Sequence, residues 1–308
     1  MEHKVSIITP TWKRAQLLNK MLMSLEVQTL KPYEVVIIAK DLDDETKSVI
    51  NSHERNLNID LVKQVHGHLA HAYSLGIKRA SGNLILFIDD DAFAELAWVE
   101  KYTKIFSQYE NLGGASGRVI TYKLNDSGIV VDQSEIRLPP NREAFWRRPL
   151  KKLESYCGGI SVSGLNFKKP CHDKEEVVLS ALMHGSNMAF KKDAIDGVDL
   201  DELFKNSRRA LGFEMILAYW SILKGYRTLR FFNKEAPTVY HLQHKGSATA
   251  GETWRDVFWK HYDRAKQFYR LKKLGADVSF LAYIVAMLLN ARKSTLPKLL
   301  AFLYAQLF

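Results

Sequence analysis

Leu84-Ile85-Leu86-Phe87-Ile88-Asp89-Asp90-Asp91 is the stretch on which the fold turns. Five apolar residues in an unbroken run read as a buried strand. The strand ends on three adjacent carboxylates. Such groups repel one another unless a cation or hydrogen-bond donors offset their charge. Asp89 and Asp91 are two apart, so a turn could aim both at one divalent ion. Hard cations such as Mg²⁺ or Mn²⁺ prefer oxygen ligands of this kind. The plainer alternative is an Asp-rich turn capping a helix that begins near Ala94.

Working outward, the same strand pattern recurs. Val5-Ser6-Ile7-Ile8 is a short apolar run that ends in a loop at Thr9-Pro10-Thr11. Leu17, Leu18, Met21, Leu22 and Leu25 follow at helical spacing, and Val35-Val36-Ile37-Ile38 starts 30 residues after the first strand. That distance fits a strand–helix–strand crossover joining parallel strands. A third strand is expected at Ile59-Asp60-Leu61-Val62, and a helix over 69–80 closed by Ser81-Gly82-Asn83. Strands alternating with helices imply an α/β layered domain with a mainly parallel sheet. In such sheets ligands bind beyond the C-terminal strand ends. Thr9-Pro10-Thr11 and Asp89-Asp90-Asp91 both lie there, so they can face one crevice. Residues 121–180 read as loops and short strands covering it. Structure returns at Gly185 to Phe190, in a helix over about 212–224, and in a strand from Thr228 to Phe232.

Composition narrows the classes. With 46% apolar and 25% charged residues among 308, the chain can bury a core and is not disordered. Its length suits one large domain with a small appendage. The two cysteines, Cys157 and Cys171, exclude a disulfide framework or a zinc cluster as organising devices, and the pair is expected to stay reduced in a cytosol. The N-terminus carries no apolar signal run, and no stretch of about 20 apolar residues suggests a span. The net charge of +10 points to an anionic partner. From Glu252 to Phe308 there are ten Lys/Arg against four Asp/Glu, so most of the excess lies at the C-terminal end.

Four motifs in order carry a resemblance. Val5 to Arg14 (VSIITPTWKR) resembles the opening strand and loop of family 2 glycosyltransferases, and Leu84 to Asp91 resembles their metal-binding DxD motif. His184 to Lys192 (HGSNMAFKK) resembles their G-x-N-M-A-F segment. Gly225-Tyr226-Arg227, with Val239-Tyr240-His241 downstream, resembles the family's A-G-Y-R … V-Y-H ending. The match runs over roughly residues 5–241. It implies the GT-A (Rossmann-like) fold and an inverting transfer of sugar from a nucleotide diphosphate, assisted by Mn²⁺ or Mg²⁺.

The resemblance also implies residue roles. Thr9, Pro10, Thr11 and Arg14 should approach the base and ribose, with Asp89 near the ribose and Asp90 and Gly185-Ser186-Asn187 also at the nucleotide sugar. Asp91 should bind the metal together with Asp89. The family's catalytic glutamate-aspartate pair sits eleven to twelve residues before the A-G-Y glycine; here those positions read Phe213 and Glu214. Glu214 therefore stands at the general-base position, and its apolar neighbours Gly212-Phe213 and Met215-Ile216-Leu217 imply partial burial. Three departures stand out. The Asp-Asp-Gly-Ser after strand two is replaced by Ala39-Lys40-Asp41-Leu42, leaving Asp41 or Asp43 to stand in for the carboxylate that reads uracil. The family's A-R-N-x-G becomes Ala72-Tyr73-Ser74-Leu75-Gly76, and the arginine after the catalytic carboxylates becomes Trp220.

The histidines divide. His241 could complete a Mn²⁺ shell or be a hydrogen-bonded structural residue. His66, His68 and His71 lack a fourth ligand for zinc and read as a polar loop and helix start. In the C-terminal segment, Trp254, Val257, Phe258, His261, Tyr262, Ala265, Phe268 and Tyr269 line one helical face. Arg255, Lys260, Arg264, Lys266 and Arg270 take the remainder. Val278–Leu289 and Leu296–Phe308 are apolar runs too short to span. They fit either an in-plane element beside anionic lipid or a packed helical cap.

The expectations are then these. Residues 1–250 form a GT-A domain and 251–308 a basic, apolar helical extension. The donor is a nucleotide-diphosphate sugar, UDP first with GDP or dTDP as alternatives, and the acceptor a hydroxyl of a glycan or a lipid-linked (polyprenyl) sugar. No nucleic acid is involved, since no recognised motif is present and the Asp triplet would repel phosphate without metal. The setting is cytoplasmic, with peripheral membrane contact through the C-terminus. The competing readings are a sugar nucleotidyltransferase, which should carry a Gly-rich loop after strand one, and a non-enzymatic binder of anionic lipid or nucleic acid.

Overall fold

A computed structural model describes residues 3–125, 128–132, 143–170, 176–243, 253–291 and 296–307. The strands are β1 (Val5–Thr11), β2 (Glu34–Lys40), β3 (Ile59–Gln64), β4 (Leu84–Phe87), β5 (Ala92–Ala94), β6 (Leu112–Ser116), β7 (Arg118–Asn125), β8 (Gly128–Asp132), β9 (Gly158–Ile160), β10 (Asn166–Lys168), β11 (Val177–Leu179), β12 (Met188–Lys191), β13 (Arg227–Phe231) and β14 (Thr238–Gln243). The helices are α1 (Ala15–Glu26), α2 (Asp44–His53), α3 (Leu69–Arg79), α4 (Trp98–Gln108), α5 (Lys192–Ile195), α6 (Leu200–Leu203), α7 (Phe213–Leu223), α8 (Trp254–Lys273), α9 (Phe280–Ala291) and α10 (Leu296–Leu307).

An eight-stranded sheet runs in the order β11-β13-β6-β12-β4-β1-β2-β3. β1 is parallel to both β2 and β4, β2 to β3, and β13 to β6, while β12 enters antiparallel between β4 and β6. This is the mostly parallel α/β layer that the alternating pattern implies. Its central strands β4 and β2 are almost wholly apolar because both faces are covered. Successive residues feed opposite cores: Ile8, Val36, Ile38 and Phe87 enter one, and Ile7, Val35, Ile37 and Leu86 the other. Helix α3 ends at Arg79, and at Gly82 just beyond it only glycine fits. A Cβ on Gly82 would lie 2.4 Å from the Lys4 carbonyl oxygen.

The structure corrects the sequence reading at several points. β1 continues through Thr9-Pro10-Thr11, which stays in register with Ile37-Ile38-Ala39 of β2 instead of forming a loop. No helix begins at Ala94. The Ala92 N–H donates to the Asp89 carbonyl and turns the chain into β5, and α4 starts at Trp98. β5 pairs with β14 in a second sheet, order β5-β14-β7-β8, that places His241 opposite Ala92. The stretch read as loops and short strands supplies most of β7 and all of β8 to β11, although 133–142 lies outside the described residues. Cys157 is disulfide-bonded, not reduced. The β9–β10 pairing brings the following chain back, with the Lys169 N–H on the Cys157 carbonyl, a return that sequence separation does not reveal. Cys171 lies outside the described residues.

The C-terminal helices pack on the α/β layer. α8 opens with a Thr253–Asp256 capping box. Leu271 and Ala282 join the main core, while Tyr262, Phe268, Tyr283 and Ala301 form a local one. Arg270 does not decorate the solvent face as its charge suggests. It is 3% exposed, its guanidinium 2.6 Å from the Asp263 carboxylate and stacked on Phe204. The outer faces of α9 and α10 remain apolar and exposed, with Leu281, Leu288, Leu303 and Leu307 each more than half accessible. Among the described residues no helix is long and apolar enough to cross a membrane.

Candidate active site

The C-terminal ends of β1 and β4 meet at the acidic triplet. Thr11 Oγ1 donates to Asp90 Oδ2 at 2.8 Å, and Arg14 Nη1 lies 3.0 Å from Asp90 Oδ1 and 3.3 Å from Asp91 Oδ2. Burial raises the Asp90 pKa, and Arg14 opposes the rise. The antiparallel β5–β14 register then brings His241 in from the other sheet. Its Nε2 is 3.1 Å from Asp91 Oδ1 and 3.9 Å from Asp89 Oδ2. Burial works against a charged His241, but the Asp91 hydrogen bond and the two carboxylate charges raise its pKa overall.

One ligand atom from each of Asp89, Asp91 and His241 lies within 4.8 Å of the others. Two hard oxygens and an imidazole suit a Mn²⁺- or Mg²⁺-sized ion. The electrostatics agree. Burial, and then the Asp91 charge, push Asp89 up to about 6, the state of carboxylates whose mutual repulsion a cation would relieve. The residues present therefore fit a divalent ion.

These groups form one wall of a cleft of about 500 Å³. Pro10, Thr11, Trp12 and Arg14 line it from the end of β1, Lys40 and Gln64 from the ends of β2 and β3, and His68 and Arg208 from the flanks. Its volume suits a nucleotide-sized ligand. The cleft could not be read from one motif, because it joins strand ends that are far apart in sequence.

Glu214 is the second residue of α7 and is half-buried. Gly212 precedes the helix at φ +87°, a conformation that favours glycine. Glu214 lines a separate cleft of about 420 Å³. Burial chiefly raises its pKa, to about 7; its own N–H works against this, and the Asp89 charge adds to it. Tyr73 lines neither cleft but is buried between a residue of the first and a neighbour of Glu214. Its hydroxyl donates to Asp89 Oδ1 at 3.2 Å, while its ring stacks at 4.0 Å on Phe213, the neighbour of Glu214.

The other expected site residues are placed less directly. Thr9 is fully buried behind the cleft wall. Asp41 is exposed at the rim and accepts from Trp12 Nε1 at 3.0 Å; Asp43 caps α2 through the Thr46 N–H. Gly185, Ser186 and Asn187 do not line the cleft. The Asn187 amide is spent on the scaffold: Oδ1 accepts from Trp98 and Tyr102, and Nδ2 donates to the Arg118 and Pro237 carbonyls. Trp220 donates to the Asp196 carbonyl at 2.9 Å. Of the histidine trio, His66 stacks on His71, which bonds Asp201, and only His68 reaches the cleft. Sequence reasoning missed Gln64, His68, Arg208 and the bridging role of Tyr73. The one signal available was Tyr73 standing where the family motif carries arginine.

A mostly parallel sheet with paired carboxylates at the end of a central strand and a carboxylate beyond them is the GT-A architecture. Solved structures agree on the fold: a mannosyltransferase from Pyrobaculum calidifontis, in complex with GDP-Man and Mn²⁺, superimposes with a TM-score of 0.55 at 15% identity, covering 99% of this chain and 81% of that one. The family model for glycosyl transferase family 2 matches residues 6–163, about half of the chain, and the chain belongs to that family. Among curated relatives, the uncharacterized glycosyltransferase YwdF of Bacillus subtilis is 34% identical over 33% of this chain and 37% of its own length. The GalNAc(5)-diNAcBac-PP-undecaprenol beta-1,3-glucosyltransferase of Campylobacter jejuni is 30% identical over 29% of each chain. The match thus spans well under half the length of either relative.

Proposed function

We propose that this protein is an inverting, metal-assisted glycosyltransferase that moves a sugar from a nucleotide diphosphate to an acceptor hydroxyl. The observation that carries the reading is the Asp89–Asp91–His241 trio on the wall of one cleft, with Glu214 lining a second. Family membership favours it over a nucleotidyltransferase or a non-enzymatic binder.

The donor lies in the first cleft, with Trp12, Lys40, Gln64 and His68 around the base and Arg14 near the ribose and diphosphate. UDP, GDP and dTDP remain the bases to test, since Asp41 bonds Trp12 at the rim instead of lining the cleft. A divalent ion held by Asp89, Asp91 and His241 would neutralise charge on the leaving diphosphate. Glu214 takes the proton from the acceptor hydroxyl as that oxygen bonds to the anomeric carbon. The bond from that carbon to the diphosphate oxygen breaks, and the nucleoside diphosphate leaves with its electron pair. A carboxylate poised near 7 suits this role at neutral pH. Attack opposite the leaving group inverts the anomeric centre.

The exposed apolar faces of α9 and α10, beside the basic α8, support peripheral contact with an anionic membrane that presents the acceptor. The test of the transferase reading is a thermal-shift panel of UDP-, GDP- and dTDP-sugars with and without Mn²⁺. Stabilisation by one nucleotide class, only with metal, is expected. No stabilisation by any of them would reject the reading.

A further inference from the structure

We propose that Arg208 holds the donor's diphosphate, and that the C-terminal helix α8 keeps it in place by clamping the loop 207–212. The proposal rests on the transferase reading, in which the donor lies in the cleft beside Asp89 and Asp91. Arg208 lies outside the residues 6–163 that the family model matches, so it is a feature of this chain and not of the shared motifs.

Three observations carry it. The first is charge. Asp89, Asp90 and Asp91 form the acidic wall of the cleft, and Lys40, His68 and Arg208 line it as well. Burial lowers the His68 pKa, and the charges of Lys40 and then Arg208 lower it further, so the three groups lie close together. Arg14 is committed to Asp90 and Asp91, and Lys40 donates to the Gly67 carbonyl at 3.0 Å. Arg208 is exposed, and no carboxylate among the described residues pairs with it. A guanidinium offers a fork of donors and a phosphate offers acceptor oxygens, so the two are complementary. The diphosphate is where such a donor carries negative charge, and where more of it gathers as the sugar departs.

The second is the clamp. Asp256, Trp259 and Asp263 are three and four residues apart on α8, so they share one helix face, and all three meet the loop. The Arg208 guanidinium carbon lies 4.5 Å from the Trp259 ring centroid. Arg209, its neighbour, pairs with Asp256. Ser207 Oγ donates to Asp263 Oδ2 at 2.8 Å, and the Leu211 N–H donates to the same oxygen at 3.3 Å. Trp259 itself packs edge-on against the fully buried Tyr262, with 5.4 Å between ring centroids. Arg208 is thus held through its own side chain and through the residues on either side. An arginine stacked in advance has less rotamer freedom to lose when it binds an anion.

The third is the backbone. Ala210 has φ +52°, in the left-handed region that a Cβ disfavours, and Gly212 follows at φ +87°. A non-glycine residue stays in that region only where its surroundings over-determine it, and such residues recur at ligand clamps. Here the Ala210 N–H donates to Ser207 Oγ at 2.8 Å, the same hydroxyl that bonds Asp263. Across this turn the lining changes: Arg208 lines the donor cleft, while Leu211 and Gly212 line the cleft of Glu214.

The test uses the full chain with Mn²⁺, titrated calorimetrically with UDP, GDP and dTDP and with the matching nucleosides. Arg208 is exposed, so Arg208→Gln should keep the thermal midpoint. It should weaken the nucleoside diphosphate that binds by about 10–100-fold and leave the matching nucleoside within about twofold. Trp259→Leu keeps an apolar side chain on α8 and removes the ring beneath Arg208. It should weaken the diphosphate several-fold in the unmodified chain and not at all in Arg208→Gln, a coupling that a purely structural tryptophan would not show. Unchanged diphosphate affinity in Arg208→Gln, or equal losses for diphosphate and nucleoside, would overturn the proposal. Additive losses from the two substitutions would overturn the part assigned to α8. No binding of any nucleoside diphosphate by the unmodified chain would instead reject the transferase reading.

Discussion

Asp91 is tied into the site from three directions. It pairs with Arg14 and His241, and its carbonyl accepts the Leu242 N–H from β14. Asp91→Asn keeps the shape and loses the charge, so Mn²⁺-dependent stabilisation by nucleotide should disappear while the fold persists. An Asp91→Asn enzyme that still turns over normally would contradict the metal assignment. Tyr73 acts at one remove. Tyr73→Phe keeps the stack on Phe213 but removes the hydrogen bond to Asp89, and groups that orient a metal ligand typically contribute about 10–100-fold in affinity. A Mn²⁺ titration should show a loss in that range; an unchanged affinity would leave Tyr73 a core aromatic. For Glu214 the sign of the pH dependence is fixed by its role. A base must be unprotonated, so turnover should rise with pH through about 7, the value to which burial lifts it. Asp89 to Asp91 and Glu214 could be singled out as candidates because motif and spacing mark them. Tyr73 could not, because its hydroxyl meets Asp89 only once α3 packs across β1 and β2.

At the level of elements, hydrophobic period was a sound guide to β1, β2, β4 and α3, whose apolar runs are long and buried on known faces. It failed where pairing partners decide. β5 has three residues and exists because β14 pairs with it, and that pairing is what delivers His241 to the triplet. It failed again on α8, where charge was read as exposure. Asp263 and Arg270 sit seven apart on the buried face and satisfy each other. Removing one partner leaves the other charge buried and alone, at a cost of about 3–5 kcal/mol. Arg270→Ala should therefore lower the denaturant midpoint sharply without changing the isolated donor site. A loss under about 1 kcal/mol would mean that water reaches Asp263 more freely than its burial indicates.

Over the whole molecule, the C-terminal helices pack on the α/β layer and keep an apolar outer face. Deleting 278–308 is a poor probe of that face, because Tyr283, Ala286 and Ala301 cover Tyr262 and Phe268. Substituting Leu281, Leu303 and Leu307 by lysine leaves the inner packing alone. It should weaken co-sedimentation with anionic vesicles by at least about tenfold at an unchanged thermal midpoint. Equal sedimentation would assign the face to another partner. The central claim concerns the two clefts: donor and metal on one side, proton acceptor on the other. Glu214→Gln in single-turnover assays tests it most directly, with nucleotide-sugar affinity measured alongside. The account predicts transfer slower by about 10²–10⁴ with donor affinity and Mn²⁺ dependence unchanged. Near-normal transfer, or collapse of donor binding, would contradict it.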